Sequence, residues 1–238
     1  MLMDFWLGNT NTDLFSLLVM AVFLLIAFVL AVTVHEYFHN LAKYKFGDTS
    51  VKDEKKLTLN PLKQLRLSNI APFFMTLFFS FCWLKPTKSH FSKGKNAVVA
   101  VSGPLSNLVF AVAAILFYDI IYVISVHLYV SADIVSNIII YFQSFLSSVV
   151  LVNLALFVFN ILPLPGLDGG EAIAQLFKED TAEKFLGLSK YTYIIYLFLI
   201  IFLSRAGIAS LITSAIATAV ETPILALFSI LFEVNYAF

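Results

Sequence analysis

Apolar residues in this chain fall into long runs separated by short polar connectors, and the runs are its clearest feature. The first spans about Leu14 to Ala42 and carries the polar cluster His35-Glu36-Tyr37-Phe38-His39 near its C-terminal end. Two more cover about Ala97 to Val126 and Val135 to Leu162, and a shorter stretch, Ile70 to Leu84, is interrupted early by Pro72. From Tyr191 to Phe238 the chain is again apolar, broken by Arg205, Glu221 and Pro223. A helix needs about 20 apolar residues to cross a bilayer, so the three long runs predict transmembrane helices. The stretch 70–84 is too short for a full crossing.

Composition points the same way. Hydrophobic residues make up 60% of the 238 positions and charged residues 13%. A soluble domain, in which about 25% of residues are charged, could not hide that much apolar surface. The fold class expected is therefore an all-α polytopic membrane protein. The stretch before Leu14 lacks a basic region, and the run after it is too long for a signal peptide core, so that run reads as a retained helix. Positive and negative charges balance, so no basic surface argues for nucleic acid. A single cysteine, Cys82, leaves no intramolecular disulfide to form.

Lysine and arginine are distributed unevenly. The connectors at 43–69, 85–95 and 168–190 hold every Lys and Arg except Arg205, whereas the connector around His127 to Asp133 holds none. The positive-inside rule then places the three basic connectors in the cytoplasm and 127–134 outside. Both flanks of 70–84 fall on one side, so that stretch is expected to be re-entrant or interfacial.

The chemistry lies in His35-Glu36-Tyr37-Phe38-His39, an HExxH sequence. Helical residues four apart share a face, so both imidazoles can hold one zinc ion, with Glu36 beside it as general base. Zinc brings the pKa of water it holds toward about 7, which lets a carboxylate complete the attack on a peptide carbonyl. A chance HExxH on an ordinary helix is the plainer reading, but ionisable residues in a membrane span are costly and mark function by default. Catalytic zinc usually takes three protein ligands. His90 and His127 stand in connectors, and sidedness sets His127 apart. Asp168 follows the run that ends near Leu162, on the same side as the histidines, and is the better third ligand. Its setting, Asn160-Ile-Leu-Pro-Leu-Pro-Gly-Leu-Asp168-Gly-Gly, cannot continue as a regular helix. Asp168 also suits a helix N-cap ahead of Gly169, and the two roles can coexist.

These residues resemble the site-2 protease family of intramembrane metalloproteases. That family combines HExxH with a distal Asn-x-x-Pro-x-x-x-x-Asp-Gly motif, matched by Asn160, Pro163, Asp168 and Gly169. Leu57-Thr58-Leu59-Asn60-Pro61-Leu62, Trp83-Leu84-Lys85-Pro86 and Ser102-Gly103-Pro104-Leu105-Ser106-Asn107 are similar to segments of its compact bacterial branch, which lacks PDZ and CBS domains. Where that branch commonly shows His-Ile-Asp-Pro, this chain reads Gln64-Leu65-Arg66-Leu67. The resemblance implies one membrane-embedded peptidase domain over 1–238, with a catalytic core at about 14–178 and C-terminal membrane segments at about 190–238. It further implies a three-helix core formed by the runs at 14–42, 97–126 and 135–162, and one zinc ion per chain. The expected substrate is a transmembrane protein, cut in or near its helix at the cytoplasmic side of a bacterial inner membrane. Asn160 and Asn107 become substrate-contact candidates, although asparagine also serves to join membrane helices. Gly103 and Pro104 read as packing and helix-start residues.

Two other classes account for less. A zinc-binding scaffold without activity has no evident use for Glu36. A metal transporter is expected to place ligands along several helices, and one cluster is visible.

Overall fold

The computed structural model describes residues 14–64, 91–127 and 133–191, together with single positions 194, 215, 218, 219 and 222. Among the described residues there are seven helices, α1 (Leu14–Lys45), α2 (Ser50–Asp53), α3 (Pro61–Gln64), α4 (Lys93–His127), α5 (Asp133–Asn160), α6 (Asp168–Ala174) and α7 (Glu179–Gly187), and no strand. Helices α1, α4 and α5 are each long and apolar enough to cross a membrane. The protein is an all-α, multi-pass integral membrane protein. The stretch 70–84, with Cys82, and most of the C-terminal segment lie outside the described residues.

The three long helices bind one another through small and branched side chains. Ala27, Phe28, Ala31 and Val32 of α1 meet Ala114 of α4 and Val149, Val152, Ala155, Leu156 and Phe159 of α5 in one buried cluster. Small residues matter here because lipid tails are as apolar as the side chains, so helix association relies on close packing. Leu18, Val22, Leu25 and Leu30, on the outer side of α1, remain exposed as a bilayer requires. The buried stripe of α1 runs through Leu24, Phe28 and Ala31 directly into His35 and His39. The HExxH residues therefore end the core-facing side of α1, and the site inherits its burial from the packing.

Helix direction decides what meets at that end. Val99, near the start of α4, touches His39, near the end of α1, so α4 runs back against α1. The segment after α5 returns to the same end, where Asp168 reaches His39. Gln64 lies there too, against Asn40, as does Phe91, whose ring is 6.0 Å from that of Phe46. The basic connectors are thus gathered at one end of the bundle, as the charge pattern led one to expect. Both flanks of 65–90 are at this end.

One expectation needs correction. Pro104 does not start a helix: α4 begins at Lys93 and continues through it. The basic residues Lys93 and Lys95, read as connector, form the first turn. Helices in membranes tolerate an internal proline where neighbouring helices and hydroxyl side chains compensate. On either side of the proline, Ser106 Oγ donates to the Gly103 carbonyl at 2.6 Å and Ser102 Oγ to the Val99 carbonyl at 2.7 Å.

Candidate metal centre

His35, His39 and Asp168 come together as a closed triangle of donor atoms. The two Nε2 atoms are 3.0 Å apart, and Asp168 Oδ2 lies 3.0 Å from His35 Nε2 and 3.3 Å from His39 Nε2. Tetrahedral zinc with bonds of about 2.0–2.1 Å sets its ligand atoms about 3.3 Å apart, so the triangle is close to the size the metal needs. All three side chains are almost wholly buried. Asp168 Oδ1 is buried without a hydrogen-bond partner among the described residues, a costly state that a cation beside the carboxylate relieves. Burial opposes the charge of Asp168, but the adjacent His39 and His35 rings, when protonated, outweigh it and hold the carboxyl down at about 2.

Each imidazole is steered by a bond at its other nitrogen. His39 Nδ1 donates to the Val99 carbonyl at 2.7 Å. His35 Nδ1 lies 2.6 Å from Asn107 Oδ1. With both Nδ1 positions engaged as donors, both Nε2 lone pairs face the triangle, the arrangement that metal-ligating histidines need. Glu36, buried one residue along α1, is near enough for its charge to act on His39.

Gly103 completes the cradle. A Cβ at this position would lie 2.7 Å from His35 Nε2 and closer still to His39 Nε2. That is the space into which the donors converge, and only a residue without a side chain leaves it open. Gly103 is therefore part of the site and not a packing residue alone. A missing side chain carries no chemical signature, so the HExxH pattern gave no hint of it.

Asp168 reaches the triangle through a tight turn. Leu167 N donates to the Leu164 carbonyl at 3.1 Å, and Gly166 has φ +88°. With Pro165 before it, this is a type II turn, in which the third residue needs positive φ and glycine supplies it at no steric cost. The N-cap of α6 is Leu167, so Asp168 is the first helical residue and makes no side-chain cap bond. The N-cap role considered for Asp168 falls to Leu167. A Cβ on Gly170 would lie 2.5 Å from the Leu164 carbonyl carbon and 3.1 Å from Pro165 N. We expect Gly170→Ala to destabilise the protein by about 1–3 kcal/mol through overpacking. A lower thermal midpoint in detergent would register this, and an unchanged midpoint would mean that the turn yields freely.

The connector after α1 is tied to the site end by amides. Gln64 Nε2 donates to the carbonyls of Lys56 and Thr58, both at 2.7 Å, and Asn40 Nδ2 approaches Gln64 Oε1 at 3.5 Å. Gln64, where the chain departs from the compact branch, thus anchors a loop. Asn160 is fully buried, and its Nδ2 donates to the Leu156 carbonyl at 2.8 Å.

Two histidines of the membrane-crossing helix α1 and Asp168 of α6 form the donor set, and the family match makes the protein a membrane-embedded zinc metalloprotease. Residues 23–204 match the model of Peptidase family M50, and the chain belongs to that family. It is 32% identical over 218 residues to YwhC of Bacillus subtilis, covering 89% of this chain and 93% of that one. It is also 22% identical over 213 residues to Rip2 of Mycolicibacterium smegmatis, covering 82% of this chain and 73% of that one. Each relative is provisionally designated a zinc metalloprotease. No solved structure matches the chain significantly.

Proposed function

We propose that the protein hydrolyses a peptide bond in or near a transmembrane helix of a membrane-protein substrate, with His35, His39 and Asp168 as zinc ligands and Glu36 as general base. The observation that carries this reading is the donor triangle sealed among three helices able to cross a bilayer. A substrate reaching such a site comes from within the membrane. Zinc, when bound, supplies a Lewis acid that brings the pKa of water to about 7. Glu36 accepts the proton that water loses and delivers it to the leaving amine. A substrate helix must unwind to expose its carbonyl, so segments with Gly, Pro or Asn, which weaken helices, are the preferred targets.

The whole of 1–238 is read as one peptidase domain in a bacterial inner membrane. The basic connectors gathered at the site's end support a cytoplasmic position for the active site. Asn160 keeps the substrate-contact role implied by the family resemblance, holding the extended backbone of a bound substrate or steadying the oxyanion. Asn107 has a different task. Its oxygen is engaged by His35 and its Nδ2 bonds to the Ala31 carbonyl at 3.1 Å and to Asn153 Oδ1 at 2.8 Å, so it acts through His35 and does not touch substrate.

Zinc content of the detergent-purified protein tests the ligand set. About one zinc per chain is expected in the wild type and a clear loss in Asp168→Ala, since two histidines alone make an incomplete site. Equal zinc in both proteins would remove Asp168 from the ligand set. Cleavage of a reconstituted transmembrane substrate near its cytoplasmic end, abolished together with the zinc, tests the reaction.

A further inference from the structure

Asn153, in the middle of an apolar run, has no part in the HExxH chemistry or in the Asn-x-x-Pro motif, yet it is completely buried. Its Oδ1 accepts from Asn107 Nδ2 at 2.8 Å and its own Nδ2 donates to the Val149 carbonyl at 2.8 Å. From α5 it thus touches an amide of α4 that in turn touches a zinc ligand of α1. We infer that Asn153 is a positioning residue: with Asn107 it forms an amide relay across the three membrane helices that keeps a proton on His35 Nδ1 and leaves Nε2 for the metal.

The polarity of the relay is fixed at both ends by groups that cannot turn round. The Val149 carbonyl can only accept, so the NH2 of Asn153 faces it and the Asn153 oxygen faces Asn107. The Asn107 atom at that oxygen must then be its nitrogen. The Ala31 carbonyl, another pure acceptor, requires the same orientation, since it receives the second N–H of that nitrogen at 3.1 Å. Only the Asn107 oxygen is left for His35, at 2.6 Å. An amide oxygen cannot donate, so His35 Nδ1 must. Two backbone carbonyls on different helices therefore dictate where the proton of a third group resides.

His39 needs no such device, because the Val99 carbonyl receives its Nδ1 directly. The two ligands are thus oriented by different means, one by backbone and one by a pair of side chains. Loss of the Asn153 oxygen would leave the Ala31 carbonyl alone to hold the orientation of Asn107, and an amide that flips presents N–H groups to His35. The ring would then have to accept at Nδ1 and carry its proton on Nε2, where the metal belongs.

The inference rests on the zinc-ligand reading of His35, and two measurements separate them. The first is chelator competition for zinc on the full-length protein. Asn153→Leu removes the acceptor and should weaken zinc binding by about 10- to 100-fold, the usual effect of losing a partner of a ligating histidine. Asn153→Asp keeps an acceptor toward Asn107 and should stay near the wild type. Equal affinity in wild type and Asn153→Leu, or equal loss in both variants, would overturn the relay. The second is the 15N spectrum of histidine-labelled, metal-free wild-type protein, where His35 Nδ1 should show a directly bonded, slowly exchanging proton. An unprotonated Nδ1 would overturn the relay even if Asn153→Leu fails to fold. A wild-type chain that takes up no zinc would instead sink the metal reading, and the Nδ1 signal would still decide the relay.

Discussion

Glu36→Gln is expected to retain about one zinc ion per chain while peptide hydrolysis falls by about 10²- to 10⁴-fold, the range associated with loss of a general base. The two effects separate because Glu36 is not a corner of the donor triangle, which is made by His35, His39 and Asp168. Gln has nearly the same shape and fills the same buried position on α1 without being able to accept a proton. Zinc content and cleavage measured on one preparation distinguish this from collapse of the site, which would remove both. Cleavage at the wild-type rate would remove Glu36 from the mechanism.

Gly103→Ala is expected to reduce zinc from about one per chain to near zero, and activity with it. A metal ion needs Nε2 contacts of about 2.0–2.1 Å on both histidines, and a Cβ at residue 103 would claim the same space. Helix propensity favours alanine over glycine, but the added methyl would collide with His39 Nε2, so the ligand rings must shift to admit it. Ser106→Ala is the control, since it removes a bond to the Gly103 carbonyl without putting an atom among the donors. A Gly103→Ala protein with full zinc would place the metal on the other side of the triangle.

How much of this was open to inspection in the sequence depends on whether a residue advertises chemistry or geometry. His35, Glu36, His39 and Asp168 carry groups with few other uses inside a membrane, and lysine placement put the two histidines and Asp168 at one end before any fold was known. The helices were legible for the same reason: runs expected at 14–42, 97–126 and 135–162 form helices Leu14–Lys45, Lys93–His127 and Asp133–Asn160. Their ends shifted because polar residues such as Lys93 and Lys95 belong to a helix that extends beyond the apolar zone. Gly103 and Pro104 read in sequence as packing and helix-start residues because proline suits the first helical position, whereas α4 runs through them. Asn153 escaped notice because an amide within an apolar run matters only through the partners that three-dimensional packing brings to it.

In sequence, the triangle's corners are far apart: Asp168 lies 129 residues beyond His39. A ribosome must therefore make α4, α5 and the type II turn after both histidines have been delivered to the membrane. During that interval the nascent chain offers two imidazoles, fewer than the three protein ligands of a catalytic zinc. A chain that stops before α6 lacks the third donor of the triangle. With the proposed ligand set, the three-donor site assembles only after α4, α5 and the turn that carries Asp168 have been made.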